Sequence, residues 1–136
     1  MNFNFVCCLY PCVPLLTSSD LEKSFEILNS FEDKFIFPIA ETSSNAHRSL
    51  GIKDNGSLYT IFAGFENQRT QDLDKTFFDV GQFYWGHKSI WKTAQSIYKN
   101  AKGYIIPKWR AIDIDNEEDW FIAELMYTTL EMRDKN

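Results

Sequence analysis

Two aspartates, Asp113 and Asp115, stand one residue apart in R-A-I-D-I-D-N-E-E-D-W, residues 110–120. In a strand they would share a face at a spacing of about 6.6 Å. At an effective dielectric near 20, two ionised carboxylates at that spacing repel by about 2–3 kcal/mol. One structural role covers half of the pair. Asp115 with Glu118 three residues on has the form of a capping box, and Asn116, Glu117, Glu118 and Asp119 place acceptors and negative charge at a helix N-terminus. Asp113 precedes that cap by two residues, and the flanking Ile112 and Ile114 suggest a half-buried strand end. The alternative is a hard divalent cation. Mg²⁺ takes one or two protein carboxylates plus waters and substrate phosphates, and α/β folds place ligands where a strand ends beside a helix start. Spacing leaves both readings open.

A second set of polar residues lies upstream. Arg69-Thr70-Gln71-Asp72 falls in a polar loop, and Asp79, Gln82 and Tyr84 lie on a glycine-containing strand. Arg69 suits a carboxylate gripped by two hydrogen bonds, while Gln71, Gln82 and Asp79 suit hydroxyls and amides. A solvated loop and a satisfied aspartate explain the same residues without a ligand. His47 and Arg48 in a polar stretch, and His87 before a helix, read as surface residues or local caps. The sequence has no G-x-S-x-G, H-E-x-x-H or glycine-rich phosphate loop, so serine hydrolysis, zinc proteolysis and nucleotide binding by a known loop find no support.

The elements that must position these residues alternate between strand and helix. Residues 3–9 are nearly all apolar, as expected of a central strand covered on both faces. Thr17 or Ser18 can cap a helix bearing Leu21, Phe25, Ile27, Leu28 and Phe31, which leads to a second apolar strand over 34–40. Strand, helix and strand form a βαβ unit with parallel strands and a right-handed crossover. Asn55-Gly56 between short alternating runs signals a hairpin. Residues 63–75 read as a loop or irregular arm. Residues 77–86 read as a strand in which Gly81 marks a bulge or close approach. A helix over about 87–98, a last strand region through 104–106 and W-R-A-I-D-I, and a helix over about 116–132 follow. In that last helix Trp120, Ile122, Ala123, Met126, Tyr127 and Leu130 form the apolar stripe. The fold class is α/β, in a single domain.

Composition limits the partners. The 136 residues, 44% of them hydrophobic, suffice for one real core. A net charge of −5 argues against duplex nucleic acid as a partner, and no apolar run is long enough to span a membrane. V-C-C-L-Y has no preceding Lys or Arg and no cleavage site after it, so it reads as a strand rather than a signal peptide. Cys7, Cys8 and Cys12 lack zinc-site spacing and read as reduced, buried thiols, which points to the cytoplasm.

Five motifs in order carry a family resemblance: C-C-L-Y-P-C-V-P-L-L (7–16), F-P-I-A-E (37–41), R-T-Q-D-L (69–73), D-V-G-Q-F-Y-W-G (79–86) and I-P-K-W-R-A-I-D-I-D-N-E-E-D-W (106–120). Together they resemble the CMP-sialic-acid synthetases, and within that family the pseudaminic acid cytidylyltransferases. The resemblance implies a partial Rossmann-like nucleotidyltransferase fold, with a mostly parallel sheet flanked by helices. The implied reaction joins CTP to a nine-carbon keto-acid sugar, pseudaminic or sialic acid, giving CMP-sugar and pyrophosphate. It also implies Mg²⁺ held by Asp113 and Asp115, which would offset their repulsion. Arg69, Gln71, Asp79, Gln82 and Tyr84 become sugar-pocket or pocket-lining residues, and residues 41–75 a dimerisation arm reaching the partner subunit of a homodimer.

The sequence also departs from the family pattern. The family's opening strand and glycine-rich basic loop, of the form I-P-A-R-G-G-S-K-R-I, have no counterpart here, so the chain corresponds to the C-terminal portion without the first βαβ. Cys12-Val13-Pro14 stands where relatives have T-A-P or T-S-P, and E-T-S-S-N-A-H-R where they have E-F-x-x-P-I-Q-R. These departures motivate the alternative of a non-catalytic remnant or a partner module of a split enzyme. They also lead to the expectation of an exposed apolar sheet edge around Phe3 to Leu9 and of self-association.

Overall fold

The structure is a computed structural model that describes residues 3–134. Along the chain run β1 (Phe5–Leu9), α1 (Ser18–Asn29), β2 (Phe35–Glu41), β3 (Leu50–Ile52), β4 (Leu58–Thr60), β5 (Phe77–Asp79), β6 (Phe83–His87), α2 (Lys88–Thr93), β7 (Ala101–Ile105) and α3 (Glu117–Asp134). They fall into two compact units, Met1–Ala40 with Asp79–Asn136, and Glu41–Phe78.

The first unit is built on β2, whose F-I-F-P-I-A run is buried except for the half-buried Ile39. On one side β2 pairs in parallel with β7, from Phe35↔Ala101 to Ile39↔Ile105. On the other, β6 runs antiparallel to both β2 and β1, with Ile36 opposite Trp85 and Cys7 opposite Trp85 on its other flank. The expected α/β class and the parallel sense of β1 and β2 are therefore observed, with β6 inserted between them and the sheet mixed in direction. α1 crosses from β1 to β2. Its cap is Thr17, whose hydroxyl accepts the Asp20 N–H while the Asp20 carboxylate accepts the Thr17 N–H, a reciprocal capping box. A core of Phe35, Phe37 and Tyr84 is flanked by Ile39, Ile90, Trp91, Ile97 and Ala101.

The strand expected over 77–86 is two strands. Val80-Gly81-Gln82 separates β5 from β6, and Gly81 has φ 71°, a left-handed conformation that glycine adopts at little cost.

Several expectations are corrected. β1 ends the sheet instead of lying in its centre. It pairs only with β6 among the described residues, and Cys8 and Leu9 are exposed. The three cysteines are free but not all buried, because Cys8 and Cys12 are exposed. Cys7 is half-buried, and burial together with the neighbouring Cys8 pushes its thiol up to about 11. The segment W-R-A-I-D-I is not a strand. Pro107, which has no N–H to give a ladder, starts a single 3-10 turn over Lys108–Arg110, and 111–116 is irregular. The helix after β6 stops at Thr93, where Ala94 turns extended. In α3 only Ala123 is fully buried, with Met126 and Leu130 half-buried, while Trp120, Ile122 and Tyr127 are exposed.

The second unit carries the expected hairpin. β3 and β4 pair antiparallel, Gly51 facing Tyr59, around a turn in which Gly56 has φ 82°. No helix among the described residues is long and apolar enough to cross a membrane.

Candidate functional site

Because β1, β2 and β7 run in one direction, their carboxyl ends gather at one end of the first unit, where open α/β sheets bind ligands. The amino end of β6 joins them, since the Tyr10 N–H donates to the Gln82 carbonyl at 2.9 Å. Beneath this end Ala40, Val80 and Ile106 pack together with Tyr104 and Ala111.

One buried ion pair organises the loop that leaves β7. Arg110 donates from Nη1 to Asp20 Oδ2 at 2.5 Å and from Nη2 to Oδ1 at 3.0 Å, a bidentate pair with Asp20 only 2% exposed. The Tyr104 hydroxyl donates to Oδ1 at 3.1 Å, and the Thr17 hydroxyl and N–H donate to Oδ2 at 2.6 and 3.0 Å. Burial alone would raise the Asp20 carboxyl, but the hydrogen bonds from Arg110 and Thr17 outweigh it and hold it below the usual carboxylate range. Burial and Asp20 push the Tyr104 phenol up. The Arg110 backbone is held as well, because its carbonyl accepts from Gln82 Nε2 at 2.9 Å. Sequence reasoning named neither Asp20 nor Arg110 as functional. The one available signal was an aspartate three residues after a threonine cap.

The second cluster is centred on Asp79. Its Oδ1 accepts the Gly81 N–H at 2.9 Å, and its Oδ2 accepts both the Tyr84 and Tyr98 hydroxyls at 2.9 Å. Both phenols are pushed up, Tyr84 chiefly by burial and Tyr98 chiefly by its hydrogen bond to Asp79. Tyr10 lies against Tyr84 with ring centroids 5.3 Å apart. Each phenol spends its only proton on Asp79, so its remaining hydrogen-bonding capacity is as an acceptor. Tyr98 is thus a member that sequence reasoning missed.

Of the predicted site residues, Asp79, Gln82 and Tyr84 lie at this end of the first unit. Arg69 and Gln71 belong to the second, exposed at the 3-10 turn Thr70–Asp72. His87 is the local cap it was read as, accepting the Ser89 N–H at Nδ1. His47 stacks on Phe65 with centroids 4.4 Å apart.

Asp113 and Asp115 are exposed between half-buried Ile112 and Ile114, so the predicted alternation survives without a strand. Water screens most of the repulsion expected for a buried pair. The capping box lies one residue later than predicted. The Asn116 side chain accepts from the Glu118 and Asp119 N–H groups, and the Asp119 carboxylate accepts from the Asp115 and Asn116 N–H groups. Asp115 is therefore not the cap, and neither Asp113 nor Asp115 has a side-chain hydrogen bond or ion pair among the described residues. No three His, Cys, Asp or Glu side chains among those residues group to hold a metal ion. Two free carboxylates without a third protein ligand fit Mg²⁺, which keeps several waters and takes substrate phosphates.

No protein-family profile matches the chain. Over 126 residues, 92% of this chain, it is 29% identical to the pseudaminic acid cytidylyltransferases of two Campylobacter jejuni subsp. jejuni serotypes, O:23/36 and O:2. The match covers 54% of each relative, so the chain spans about half the length of the curated proteins it matches. The resemblance read from the five motifs is borne out by these relatives.

Asp20→Asn leaves the Arg110 guanidinium buried without its counter-charge, and we expect it to cost about 3–5 kcal/mol in urea unfolding at pH 7. The Asp20 carboxyl is lowered by folding, so its contribution is complete above the ordinary aspartate range and is lost as pH falls through the folded value. The gap between wild type and Asp20→Asn should therefore shrink with acidification. A gap independent of pH would contradict the pair's role.

Proposed function

We propose that this chain is the sugar- and metal-handling portion of a cytidylyltransferase that joins CTP to a nine-carbon keto-acid sugar, giving CMP-sugar and pyrophosphate. The observation that carries the reading is the likeness to two pseudaminic acid cytidylyltransferases over 92% of the chain. It is supported by the gathering of Asp79, Gln82, Tyr84 and the anchored loop before Asp113 at the carboxyl end of the sheet. The sugar's anomeric oxygen forms the new bond to the α-phosphorus of CTP, and the bond to pyrophosphate breaks. Asp113 and Asp115 would hold Mg²⁺, which when bound supplies positive charge against the triphosphate oxygens.

The chain's own groups then divide the remaining work. Asp79 fixes the Tyr84 and Tyr98 hydroxyls as acceptors for the hydroxyl and amide protons of the sugar. Gln82, buried and bonded to the Arg110 carbonyl, acts by positioning the metal-bearing loop. Arg69 and Gln71, exposed on the second unit, suit a sugar carboxylate and its neighbouring hydroxyls. The second unit also carries exposed Leu50, Ile52, Leu58, Ile61 and Phe62, a run of apolar side chains suited to a homodimer contact.

Calorimetric titration of CTP with Mg²⁺ into the purified chain tests the nucleotide reading. Binding should weaken at least tenfold in the Asp113→Ala, Asp115→Ala double variant, and a folded chain that binds no Mg²⁺-CTP would contradict the proposal. Sedimentation velocity tests the dimer. The chain should sediment as a dimer and Ile52→Lys with Leu58→Lys as a monomer, whereas an unchanged dimer in the variant would move the contact elsewhere.

A further inference from the structure

Within the first unit, residues 94–100 join α2 to β7 as an irregular, mostly exposed strap. It is fastened at its ends, where the Ala94 N–H donates to the Ile90 carbonyl at 2.8 Å and the Asn100 carbonyl accepts the Phe35 N–H at 2.9 Å. Between them, half-buried Ile97 leans on the core of Phe35, Phe37 and Tyr84. Tyr98 is 63% exposed, yet its hydroxyl donates to Asp79 Oδ2 at 2.9 Å and its ring meets Phe37 edge-on with centroids 5.8 Å apart. A short exposed segment with few buried apolar side chains opens at low cost. The position of one of the two phenols on Asp79 therefore depends on whether this strap is in place.

The strap also lines a pocket of about 260 Å³ at the amino ends of β2 and β7. One wall is Phe35, Ile90 and Thr93, and the other is the strap itself, through Gln95, Ser96, Lys99 and Asn100. Its free polar groups are rich in donors. The Gln95 amide and the Lys99 ammonium have no hydrogen bond or ion pair among the described residues, and Ser96 Oγ accepts the Tyr98 N–H at 3.2 Å and so keeps its own proton. The Thr93 hydroxyl is spent on the Ser89 carbonyl. Asp33, the one acid in the lining, is matched by Lys34 at 3.6 Å and by the Asn100 amide at 3.4 Å. An unpaired cation, an amide and a hydroxyl beside an apolar wall suit an oxyanion carried on a short apolar body.

We propose that this pocket binds a small carboxylate or phosphate with an apolar body, and that its occupancy holds the strap closed with Tyr98 on Asp79. A ligand shifts a conformational equilibrium only by the difference in its affinity for the two states. One wall of the pocket is the strap, so the pocket is complete only with the strap in place, and a ligand touching both walls favours that state. Linkage makes the effect reciprocal, and whatever rests on Tyr98 tightens the anion in turn. The consequence for the sugar rests on the cytidylyltransferase reading, whereas the anion site rests on the pocket and the strap alone.

The test titrates benzoate and phenyl phosphate into the folded chain, with benzyl alcohol and benzylamine as controls, and follows backbone amide resonances and amide hydrogen exchange. At least one of the two anions should shift the resonances of residues 90–100 and, at twice its Kd, slow exchange across the strap about threefold. Lys99→Glu, at an exposed position, should weaken that binding about tenfold. Tyr98→Phe, which removes only the hydroxyl, should speed exchange in the free strap. Binding of neither anion would overturn the proposal, as would equal shifts with benzyl alcohol or an anion that binds and leaves strap exchange unchanged. With the anion bound, pseudaminic acid should bind about twofold more tightly. An anion that binds and slows the strap without that gain would count against the sugar reading of Tyr98 and leave the anion site standing.

Discussion

The bidentate pair between Asp20 and Arg110 is the constraint on which the functional end of the first unit depends. Asp20 belongs to the capping box of α1, Tyr104 to β7, and Arg110 to the turn that follows β7, so one carboxylate ties the crossover helix to the strand and loop that carry Asp113. Each partner makes the other's burial tolerable. Asp20 accepts five hydrogen bonds from Arg110, Tyr104 and Thr17, which is why a buried carboxyl remains below its ordinary range. The Arg110 carbonyl, held by Gln82, adds a backbone restraint to the side-chain one. Three residues further on the chain is exposed, and its two carboxylates are free of protein partners among the described residues. An anchored base beneath an open acidic loop is the arrangement on which the proposed Mg²⁺ reading rests.

Asp79 plays the corresponding role beside it. Its two oxygens take the Gly81 N–H and the hydroxyls of Tyr84 and Tyr98, so two phenols separated by fourteen positions in sequence (98 less 84) are set by one carboxylate. The left-handed Gly81 makes this geometry available by interrupting the strand between Asp79 and Gln82. Residues of the first unit thus supply an acidic loop and a phenolic cluster at one end of the sheet, while Arg69 and Gln71 ride on the second.

Much of this was legible in the sequence because it depends on neighbours in the chain. The Thr17 cap, the Asn55-Gly56 hairpin, the His87 cap and the alternation around Asp113 all follow from local chemistry, and the structure contains each. What was not legible depends on distant partners. The insertion of β6 between β1 and β2 pairs Cys7 with Trp85, across a separation that periodicity does not encode. The apolar run of β1 is indistinguishable by composition from a strand covered on both sides, although here it ends the sheet. The capping box was placed one residue early because Asp115 and Asn116 are both good caps and Glu118 and Asp119 both good reciprocal acceptors. The W-R-A-I-D-I segment has the alternation of a strand, but Pro107 and the fixed Arg110 take it off the ladder. The five-motif resemblance reached further than local physics, since the two Campylobacter jejuni relatives match over 92% of the chain.

The central claim is that the loop anchored by Asp20 and Arg110 presents Asp113 and Asp115 to a divalent cation. The most direct measurement is paramagnetic broadening of backbone amide resonances by Mn²⁺, a stand-in for Mg²⁺, titrated into the folded chain. The account predicts that broadening is strongest over residues 112–116 and disappears in the Asp113→Asn, Asp115→Asn variant. Broadening centred elsewhere, or unchanged in that variant, would contradict it.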